Sequence, residues 1–197
     1  MIKFYNHSNH KPFLEFRSRY QLALRNNQKM IQAACVSSVD QRNHVDSRFV
    51  NIKFLDGSKF IFFTNYDSPK SKQFNYSDQI AVSIYWDSIH TQIRIKARIK
   101  KTPIDFNKKY FINRSPEKNA LAISSNQSNY ISSYDEVLNK YQKVKNEHDL
   151  FLCPDYWGGY EFEPYKIEFW KGEKNRLNKR VLYYLKDDAW SQNILEP

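Results

Sequence analysis

The sequence predicts an α+β fold dominated by antiparallel β-strands. Short apolar runs separated by turn residues occupy both ends of the chain, and a stretch with helical periodicity lies between them. From Ile93 to Ile99, apolar residues at every second position alternate with arginine or lysine, which is typical of a strand with one buried face. Strands followed by helices and then by strands again favour antiparallel pairing. A closed or nearly closed barrel would protect the edges of so many short strands.

An amphipathic helix is the first element that the sequence predicts. Within Pro12–Arg25, four apolar or aromatic residues recur near helical spacing. An apolar run at Met30–Val39 predicts the first strand. We therefore expect residues 1–29 to form an N-terminal arm and helix, and the remainder, 30–197, to form the main domain.

A β-hairpin and two further strands are predicted next. Asp56-Gly57 separates the apolar runs Arg48–Leu55 and Lys59–Thr64, and Asp-Gly between such runs is typical of a hairpin turn. The runs Ile80–Trp86 and Gln92–Lys100 predict the strands that follow.

The periodicity becomes helical at about residues 103–148, which we interpret as a helical insertion. Thr102 and Pro103 predict its first helix, with the threonine as cap and the proline at the first helical position. A Ser-Pro pair at Ser115 predicts a second helix start. Ser133, followed three residues later by a glutamate, predicts a third.

The pattern returns to strands after Pro154. Asp187-Asp188 predicts the turn between the last two strands, because aspartate tolerates turn conformations. The predicted strands are Tyr160–Glu163, Lys166–Trp170, Val181–Leu185 and Ala189–Leu195.

The composition is that of a globular protein of 197 residues with 41% hydrophobic residues and a formal charge of +10. Such a charge favours nucleic acid, an acidic membrane surface or phosphorylated small molecules as partners. Excess lysine also forms ordinary solvated surface, so the charge alone does not identify the class of partner. Cys35 and Cys153 are too few for a disulfide scaffold or a zinc site. No apolar segment reaches membrane-spanning length, so we expect a reduced, cytoplasmic protein without a membrane partner.

No sequence motif for acid–base, nucleophilic or metal catalysis occurs. The five histidines form no ligand cluster, and there is no H-E-x-x-H motif. With only four glycines, the chain also lacks the glycine-rich loops that bind nucleotides. We therefore expect no metal site, and we expect enzymatic reactivity to come from a cofactor.

Aromatic and basic residues near turns are the candidate binding residues. Tyr110 and Arg114 lie four residues apart on a predicted helix, where they suit a phosphate; a solvated helix face is the alternative. Thr64–Lys70 predicts a polar turn. Its hydroxyls and Lys70 could hold an oxyanion, and an ordinary loop is the alternative. From Trp157 to Arg180, aromatic strand residues lead into a basic loop, as a flavin nucleotide requires of its site.

This last segment resembles the pyridoxamine 5′-phosphate oxidase family. Trp157–Tyr160 matches the W-G-G-[FY] motif, and Ile167–Arg180 matches I-E-F-W-x-G-x-x-x-R-L-x-x-R. Further matches keep the family's order, so that the likeness covers about residues 30–197. They are Arg48 with Lys53, Phe63–Asn65, Tyr85-Trp86, Gln92, Tyr110-Phe111 with Arg114, Gln127-Ser128 and Leu195–Pro197.

The resemblance implies a homodimeric FMN-binding split β-barrel with flanking helices, and one FMN at each end of the subunit interface. Some cofactor-binding residues would then reach across the dimer. On the matching positions, the residues implied to bind FMN are Arg48, Phe49, Val50, Asn51, Ile52, Lys53, Phe63, Thr64, Lys70, Gln92, Gln127, Ser128, Trp170 and Arg180.

The resemblance also implies a reaction. Family members oxidise pyridoxamine or pyridoxine 5′-phosphate to pyridoxal 5′-phosphate, with molecular oxygen as acceptor and hydrogen peroxide as product. Arg176 and Asn178 are the implied catalytic residues, and Arg176 would lie over the pyridine ring. The residues implied to contact the small phosphorylated pyridine substrate are Lys53, Tyr110, Arg114, Lys118, Arg176 and Asn178.

Three positions depart from the family pattern. Pro69 replaces an arginine that usually precedes Lys70, Lys118 stands near a usual serine, and Asn178 replaces a usual histidine. These departures affect the substrate more than the flavin. The alternatives are therefore a related flavin oxidase for another reduced ring compound, a non-catalytic FMN- or pyridoxal-phosphate-binding protein, and a basic nucleic-acid-binding barrel. Because the basic residues fit small-anion positions, we expect no nucleic acid partner.

Overall fold

A computed structural model describes residues 1–197 as ten strands and five helices. The helices are α1 (Lys11–Arg25), α2 (Pro69–Tyr76), α3 (Ile104–Ile112), α4 (Pro116–Ser124) and α5 (Tyr134–Glu147). The strands are β1 (Lys3–Tyr5), β2 (Ala33–Val39), β3 (Val45–Asn51), β4 (Phe54–Asp56), β5 (Lys59–Asn65), β6 (Gln79–Trp86), β7 (Thr91–Lys101), β8 (Trp157–Lys171), β9 (Lys179–Lys186) and β10 (Ala189–Leu195).

All ten strands belong to one curled sheet in the order β1-β4-β5-β8-β7-β6-β2-β3, and β9 and β10 branch from β8. Every pairing is antiparallel except β1 with β4. The long strand β8 divides the sheet, because residues 157–162 pair with β5 while residues 166–171 pair with β9. The predicted α+β fold dominated by antiparallel strands is confirmed.

A largely aromatic core lies between the curled sheet and α1. Phe13 and Phe16 on α1 are fully buried, and the Phe16 ring packs 5.0 Å from Phe60 and 5.5 Å from Trp86. Alternate residues of β6 and β7 point into this core, as their period of two requires. The predicted N-terminal arm thus contributes α1 to the same core as the strands.

Several local predictions are confirmed. Asp56-Gly57 forms the turn between β4 and β5, and Gly57 has the positive φ (59°) that such a turn requires. Asp187 and Asp188 also have positive φ values between β9 and β10. Ser133 caps α5, since its hydroxyl accepts the Glu136 backbone N–H at 3.2 Å.

The predicted strand Arg48–Leu55 is wrong as a single element. The Ile52 N–H donates to the Gln32 carbonyl, whereas the Lys53 N–H donates to the Ile61 carbonyl, so neighbouring residues bond to different parts of the sheet. The chain leaves β2 and joins β5 at this point, and β3 and β4 are therefore separate strands.

Two predicted strands are instead one. Tyr160–Glu163 and Lys166–Trp170 both lie within β8, which continues through Pro164. The register with β7 shifts there, with Pro164 opposite Ala97 and Lys166 opposite Lys96. The bulge accommodates the proline because the residues there leave the regular ladder of hydrogen bonds.

Two helix predictions and one turn prediction also need correction. The Thr102 hydroxyl donates to Asn107 Oδ1 at 2.6 Å instead of capping α3, which begins after Pro103. Arg114 lies beyond the last residue of α3. The predicted turn Thr64–Lys70 leads directly into α2, which begins at Pro69.

No helix in the structure has the length and apolar character needed to cross a membrane.

Candidate binding cavity

A cavity of about 590 Å³ opens where β1, β3, β4 and β5 meet the start of β8 and the helical insertion. The break between β3 and β4 places Lys53 in its wall, while the preceding Ile52 is fully buried in the core. The lining residues are Met1, Lys3, Phe49, Val50, Asn51, Lys53, Phe54, Phe63, Thr64, Lys70, Tyr110, Asn113, Arg114, Ser115, Lys118, Gln127 and Trp157.

The charge of the cavity wall has a single sign. Five cationic side chains line it, and no aspartate or glutamate does. Burial lowers the pKa of Lys53, and the neighbouring charges of Lys118 and Arg114 lower it further. Like charges so arranged favour an anion between them, because the anion relieves their mutual repulsion. The cationic residues are Lys3, Lys53, Lys70, Arg114 and Lys118.

Arg114 is held at the wall by contacts on two sides. Its guanidinium carbon lies 4.4 Å from the centre of the Trp157 ring, and its Nη2 donates to the Lys118 carbonyl at 3.1 Å. Its Nη1 is buried without a hydrogen-bond partner. A buried unpaired donor carries a desolvation penalty, and an anionic oxygen in the cavity would remove it.

An aromatic stack forms the wall beside Arg114. The Tyr110 ring lies 3.9 Å from that of Phe63, and Phe63 in turn stacks 5.2 Å from Trp157. Burial raises the pKa of Tyr110, although Arg114 opposes the rise, so its hydroxyl stays a neutral donor at ordinary pH. The stack offers an apolar surface with donors at its edge, as a phosphorylated ring requires.

Lys70, on the first turn of α2, forms a second cationic centre. Its Nζ donates to Gln127 Oε1 at 2.8 Å and to the hydroxyls of Thr64 and Ser68, each at 3.1 Å. Burial, assisted by the charge of Arg48, lowers the pKa of Lys70 to about 8. The Thr64 hydroxyl also donates to Gln127 Oε1, at 2.9 Å. One amide oxygen thus accepts from two donors that would suit a phosphate.

Arg48 lies behind this centre and does not line the cavity. Its guanidinium donates to Ser38 Oγ and Asp46 Oδ2, each at 2.6 Å, and to Gln73 Oε1 at 2.9 Å. Ser128 has a positive φ of 70° and lines a neighbouring groove. The predicted cofactor residues that do line the cavity are Phe49, Val50, Asn51, Lys53, Phe63, Thr64, Lys70 and Gln127.

The other predicted site residues form a second group on β7, β8, β9 and the loop before β9. Gln92, Trp170 and Arg180 are register partners in one row across these three strands. The Arg180 Nε donates to Glu168 Oε1 at 2.9 Å, and its Nη1 donates to the Glu196 carbonyl.

Glu168 is itself buried, with a side chain only 6% exposed, and it also contacts Arg94 at 3.2 Å. The predicted catalytic residues Arg176 and Asn178 lie in the loop between β8 and β9. Arg176 has a positive φ of 62°, and Asn178 Oδ1 accepts the Glu173 N–H.

The two groups are far apart in one chain. Trp157 begins β8 and Trp170 lies near its end, which separates them by roughly 40 Å along a strand that rises about 3.3 Å per residue. The structure therefore brings the first group of predicted residues together in the cavity, but it does not bring the second group to them within a single subunit.

Six cavity residues were not predicted. Trp157 belongs to a motif that the sequence displays, yet its place under Arg114 depends on how α3 packs against β8. Met1 and Lys3 reach the cavity through β1, a three-residue strand that pairs in parallel with β4 and carries no periodic signal. The unpredicted lining residues are Met1, Lys3, Phe54, Asn113, Ser115 and Trp157.

Two sequence profiles match this chain. Residues 23–147 match the profile described as pyridoxamine 5′-phosphate oxidase, and residues 157–197 match the pyridoxine 5′-phosphate oxidase C-terminal dimerisation region. The chain belongs to the pyridoxamine 5′-phosphate oxidase family. The prediction of an FMN-dependent oxidoreductase of this type is thereby confirmed at the level of the family.

Curated members of the family are similar over nearly their whole length. "Pyridoxine/pyridoxamine 5′-phosphate oxidase 2" of Hydrogenovibrio crunogenus is 32% identical over 98% of this chain and 91% of its own. The "Pyridoxine/pyridoxamine 5′-phosphate oxidase" of Legionella pneumophila is 33% identical, over 94% of this chain and 87% of its own.

Solved structures of related proteins share the fold. PhzG from Burkholderia lata, in complex with tetrahydrophenazine-1-carboxylic acid, has a TM-score of 0.88 at 21% identity and covers 94% of this chain and 92% of its own. A pyridoxamine 5′-phosphate oxidase-related, FMN-binding protein from Nostoc punctiforme has a TM-score of 0.80 at 12% identity, with 96% and 99% covered. The split-barrel prediction is confirmed.

Proposed function

We propose that this protein binds FMN and oxidises pyridoxine or pyridoxamine 5′-phosphate to pyridoxal 5′-phosphate, with oxygen as acceptor and hydrogen peroxide as product. In a chain of this family, the observation that carries the proposal is the cavity lined by cations alone, with a buried and unpaired Arg114 donor. Such a wall requires an anionic ligand, and both the cofactor and the substrate carry a phosphate.

The residues around Lys70 fit the phosphate of FMN. Lys70 and Thr64 supply an ammonium and a hydroxyl that already converge on one acceptor oxygen of Gln127. Arg48 adds positive charge behind them, as its effect on the pKa of Lys70 indicates. When bound, FMN supplies the acceptor for a hydride from the substrate and passes the electrons on to oxygen.

The residues around Arg114 fit the phosphate of the substrate. Lys53, Arg114 and Lys118 provide three positive charges, and the neutral Tyr110 hydroxyl provides a further donor. Hydrogen bonds from charged donors to a phosphate are about twice as strong as neutral ones. The Tyr110–Phe63–Trp157 stack excludes water from one side of these donors and so strengthens them.

A second subunit would complete the site. Gln92, Trp170 and Arg180 do not line the cavity of their own chain, so we infer that they serve the cavity of a partner. The matched dimerisation region spans residues 157–197 and therefore includes Trp170, Arg180 and the loop of Arg176 and Asn178. In such a homodimer, each cavity would receive the second group from the opposite chain.

Orientation is the task that we assign to Arg176 and Asn178. A guanidinium over the substrate ring would fix the ring against the cofactor by stacking and charge. Asparagine donates and accepts hydrogen bonds but does not titrate near neutral pH, so Asn178 would orient the substrate without shuttling a proton.

Oxygen-dependent peroxide formation tests the proposal directly. FMN-loaded protein should produce one peroxide per substrate with pyridoxine or pyridoxamine 5′-phosphate, and little with the unphosphorylated vitamers. Arg114→Ala should raise KM for either phosphate by at least tenfold while retaining FMN, because it removes a charged phosphate donor worth roughly 1.5–3 kcal/mol. Arg98→Ala is the matched control, because Arg98 lies on β7 in an exposed ion pair with Asp78. This change should alter neither the KM nor the retention of FMN.

A related oxidase that acts on another reduced ring compound is the second candidate. The observation that favours it is the pair of departures at substrate positions, Lys118 and Asn178. FMN retention without peroxide from any phosphorylated B6 vitamer would support this candidate against the first.

A further inference from the structure

Two cations of the cavity add positive charge beyond that of Lys53, Arg114 and Lys70. Lys53, Tyr110 and Arg114 suffice for one phosphate, and Lys70 serves another. Lys118 and Lys3 are additional. Lys118 lies four residues after Arg114 in the sequence, and its carbonyl accepts a hydrogen bond from Arg114 Nη2.

Lys3 approaches the same place from the N-terminal strand. Its backbone N–H donates to the Lys53 carbonyl at 2.9 Å, so β1 lies directly beside Lys53. The charge of Lys118 also acts on Lys53, as the lowered pKa of that lysine indicates. The substrate end of the cavity therefore contains four cations, which exceed the charge of a single dianionic phosphate.

No carboxylate of the cavity wall balances this charge. No acidic residue lines the cavity, and three carboxylates near Arg48 and the second group are already paired with cations. These pairs are Asp46 with Arg48, Glu168 with Arg94 and Arg180, and Glu173 with Lys171 and Lys179.

We propose that the site selects a phosphorylated alcohol over a phosphorylated amine, and that Lys118 determines this specificity. The inference rests on the proposed function. Pyridoxine 5′-phosphate carries an uncharged hydroxymethyl group at the carbon to be oxidised, whereas pyridoxamine 5′-phosphate carries an aminomethyl group there. An alkyl amine with a pKa near about 10 is protonated at neutral pH, so it adds a positive charge to a site that already has an excess.

The chemistry of the two substrates makes the difference measurable. The alcohol loses a hydride from carbon and a proton from oxygen, which gives the aldehyde. Bound FMN would supply the acceptor for the hydride, and oxygen would take up the two electrons with two protons to form peroxide. The ammonium form of the amine must first lose a proton. The neutral amine then loses a hydride from carbon and a proton from nitrogen to give an imine, which water converts to the aldehyde and ammonia. Because the cations oppose binding of the ammonium form, the penalty appears in the KM of the amine more than in kcat.

Steady-state kinetics of the FMN-loaded protein with both compounds at pH 7 test the inference. We expect kcat/KM to be at least tenfold higher for pyridoxine 5′-phosphate, with most of the difference in KM. Lys118→Gln should reduce this ratio at least threefold, because it removes one charge from the wall. Lys109→Gln is the matched control, since Lys109 is an exposed lysine of α3 outside the cavity, and it should leave the ratio unchanged.

Each outcome has a distinct meaning. Equal or better oxidation of the amine, or a ratio that Lys118→Gln does not move, would overturn the specificity and leave the proposed function intact. Absence of peroxide with both compounds, in protein that holds FMN, would defeat the proposed function and this inference with it. Retention of FMN and an unchanged melting temperature show that the Lys118→Gln variant is folded.

Discussion

Lys70 has the environment of a cation prepared for an anion. Burial lowers its pKa to about 8, and its three hydrogen bonds use neutral acceptors instead of a carboxylate. The charge of its ammonium is therefore available to a ligand, at the expense of holding the proton less firmly.

We expect FMN binding to weaken as the pH rises through about 8. Lys70 is protonated below that pKa and attracts phosphate, and it becomes neutral above it, although bound phosphate delays the loss. The dissociation constant, measured by quenching of flavin fluorescence from pH 7 to 9.5, should rise by about tenfold, since a charged hydrogen bond contributes roughly 1.5–3 kcal/mol. Lys70→Met should bind weakly at every pH; a wild-type curve that stays flat would contradict the assignment.

Glu168 positions Arg180 from within the sheet. Its nearly buried carboxylate accepts from Arg180 Nε, and the Glu196 carbonyl accepts from Nη1, which leaves Nη2 free for a ligand. Glu168→Gln should weaken FMN binding about fivefold, because the guanidinium loses the charge that orients it. The matched control is Glu161→Gln. Glu161 also lies on β8 and contacts two cations, Lys59 and Lys100, but it lies away from the row of Arg180. Equal effects of both changes in titrations with FMN would contradict this role.

At the residue scale, the sequence predicted identities better than positions. Tyr110 and Arg114 were paired by helical spacing, and both do line the cavity, although Arg114 does so from beyond the end of α3. Lys3 had no such signal, because a three-residue strand is too short for periodicity and its parallel partner is distant in sequence. Long-range pairing of this kind is set by the whole sheet.

Helix α1 is attached to the far edge of the sheet by one polar cluster. The Tyr183 hydroxyl of β9 donates to Glu15 Oε2 at 2.8 Å, and Arg19 contacts the same carboxylate at 2.6 Å. Burial, reinforced by Glu15, raises the pKa of Tyr183 to about 12. Because the folded pKa is above the value of about 10 for a free tyrosine, this contribution to stability is complete below pH 10 and is lost as the pH rises towards 12.

Tyr183→Phe should therefore lower the free energy of unfolding by about 1 kcal/mol, the net worth of one hydrogen bond. For a chain of this size the melting temperature should fall by roughly 2–4 °C in differential scanning fluorimetry at pH 7. Tyr184→Phe changes the more exposed neighbour on the same strand and should have little effect. An unchanged melting temperature would show that the Tyr183 hydroxyl contributes nothing to the stability of the fold.

At the element scale, strands with strict alternation were predictable and strand continuity was not. The β7 pattern and the Asp56-Gly57 hairpin depend on local chemistry that the sequence displays. The break at Ile52 and the continuity of β8 through Pro164 depend on which neighbour supplies the hydrogen bonds. A local pattern carries no information about that neighbour, so the pattern predicts two strands where a bulge at Pro164 keeps β8 continuous.

The separation of the two residue groups on β8 makes a prediction for the whole molecule. Arg114→Ala and Arg176→Ala should each leave the homodimer with little activity at a substrate concentration well below the raised KM, since each change damages one half of every proposed site. Mixing the two variants under conditions that exchange subunits should restore about one quarter of wild-type activity, because random pairing gives half heterodimers with one intact site in two.

Peroxide assays before and after exchange, together with light scattering, measure this recovery. Exchange between Arg114→Ala and Lys53→Ala is the control, since both changes lie in the same cavity wall and no pairing gives an intact site. Failure of the first mixture to recover, despite confirmed exchange, would place both groups in one subunit.

The span of β8 has a consequence for how cofactor binding by the proposed homodimer would depend on protein concentration. An isolated subunit would contain two incomplete flavin sites, and neither would retain the cofactor well. Flavin occupancy and self-association would then be one equilibrium, in which vitamin B2 supply stabilises the pair and scarcity releases single chains. The yellow colour of a preparation would be a measure of how much of it is paired.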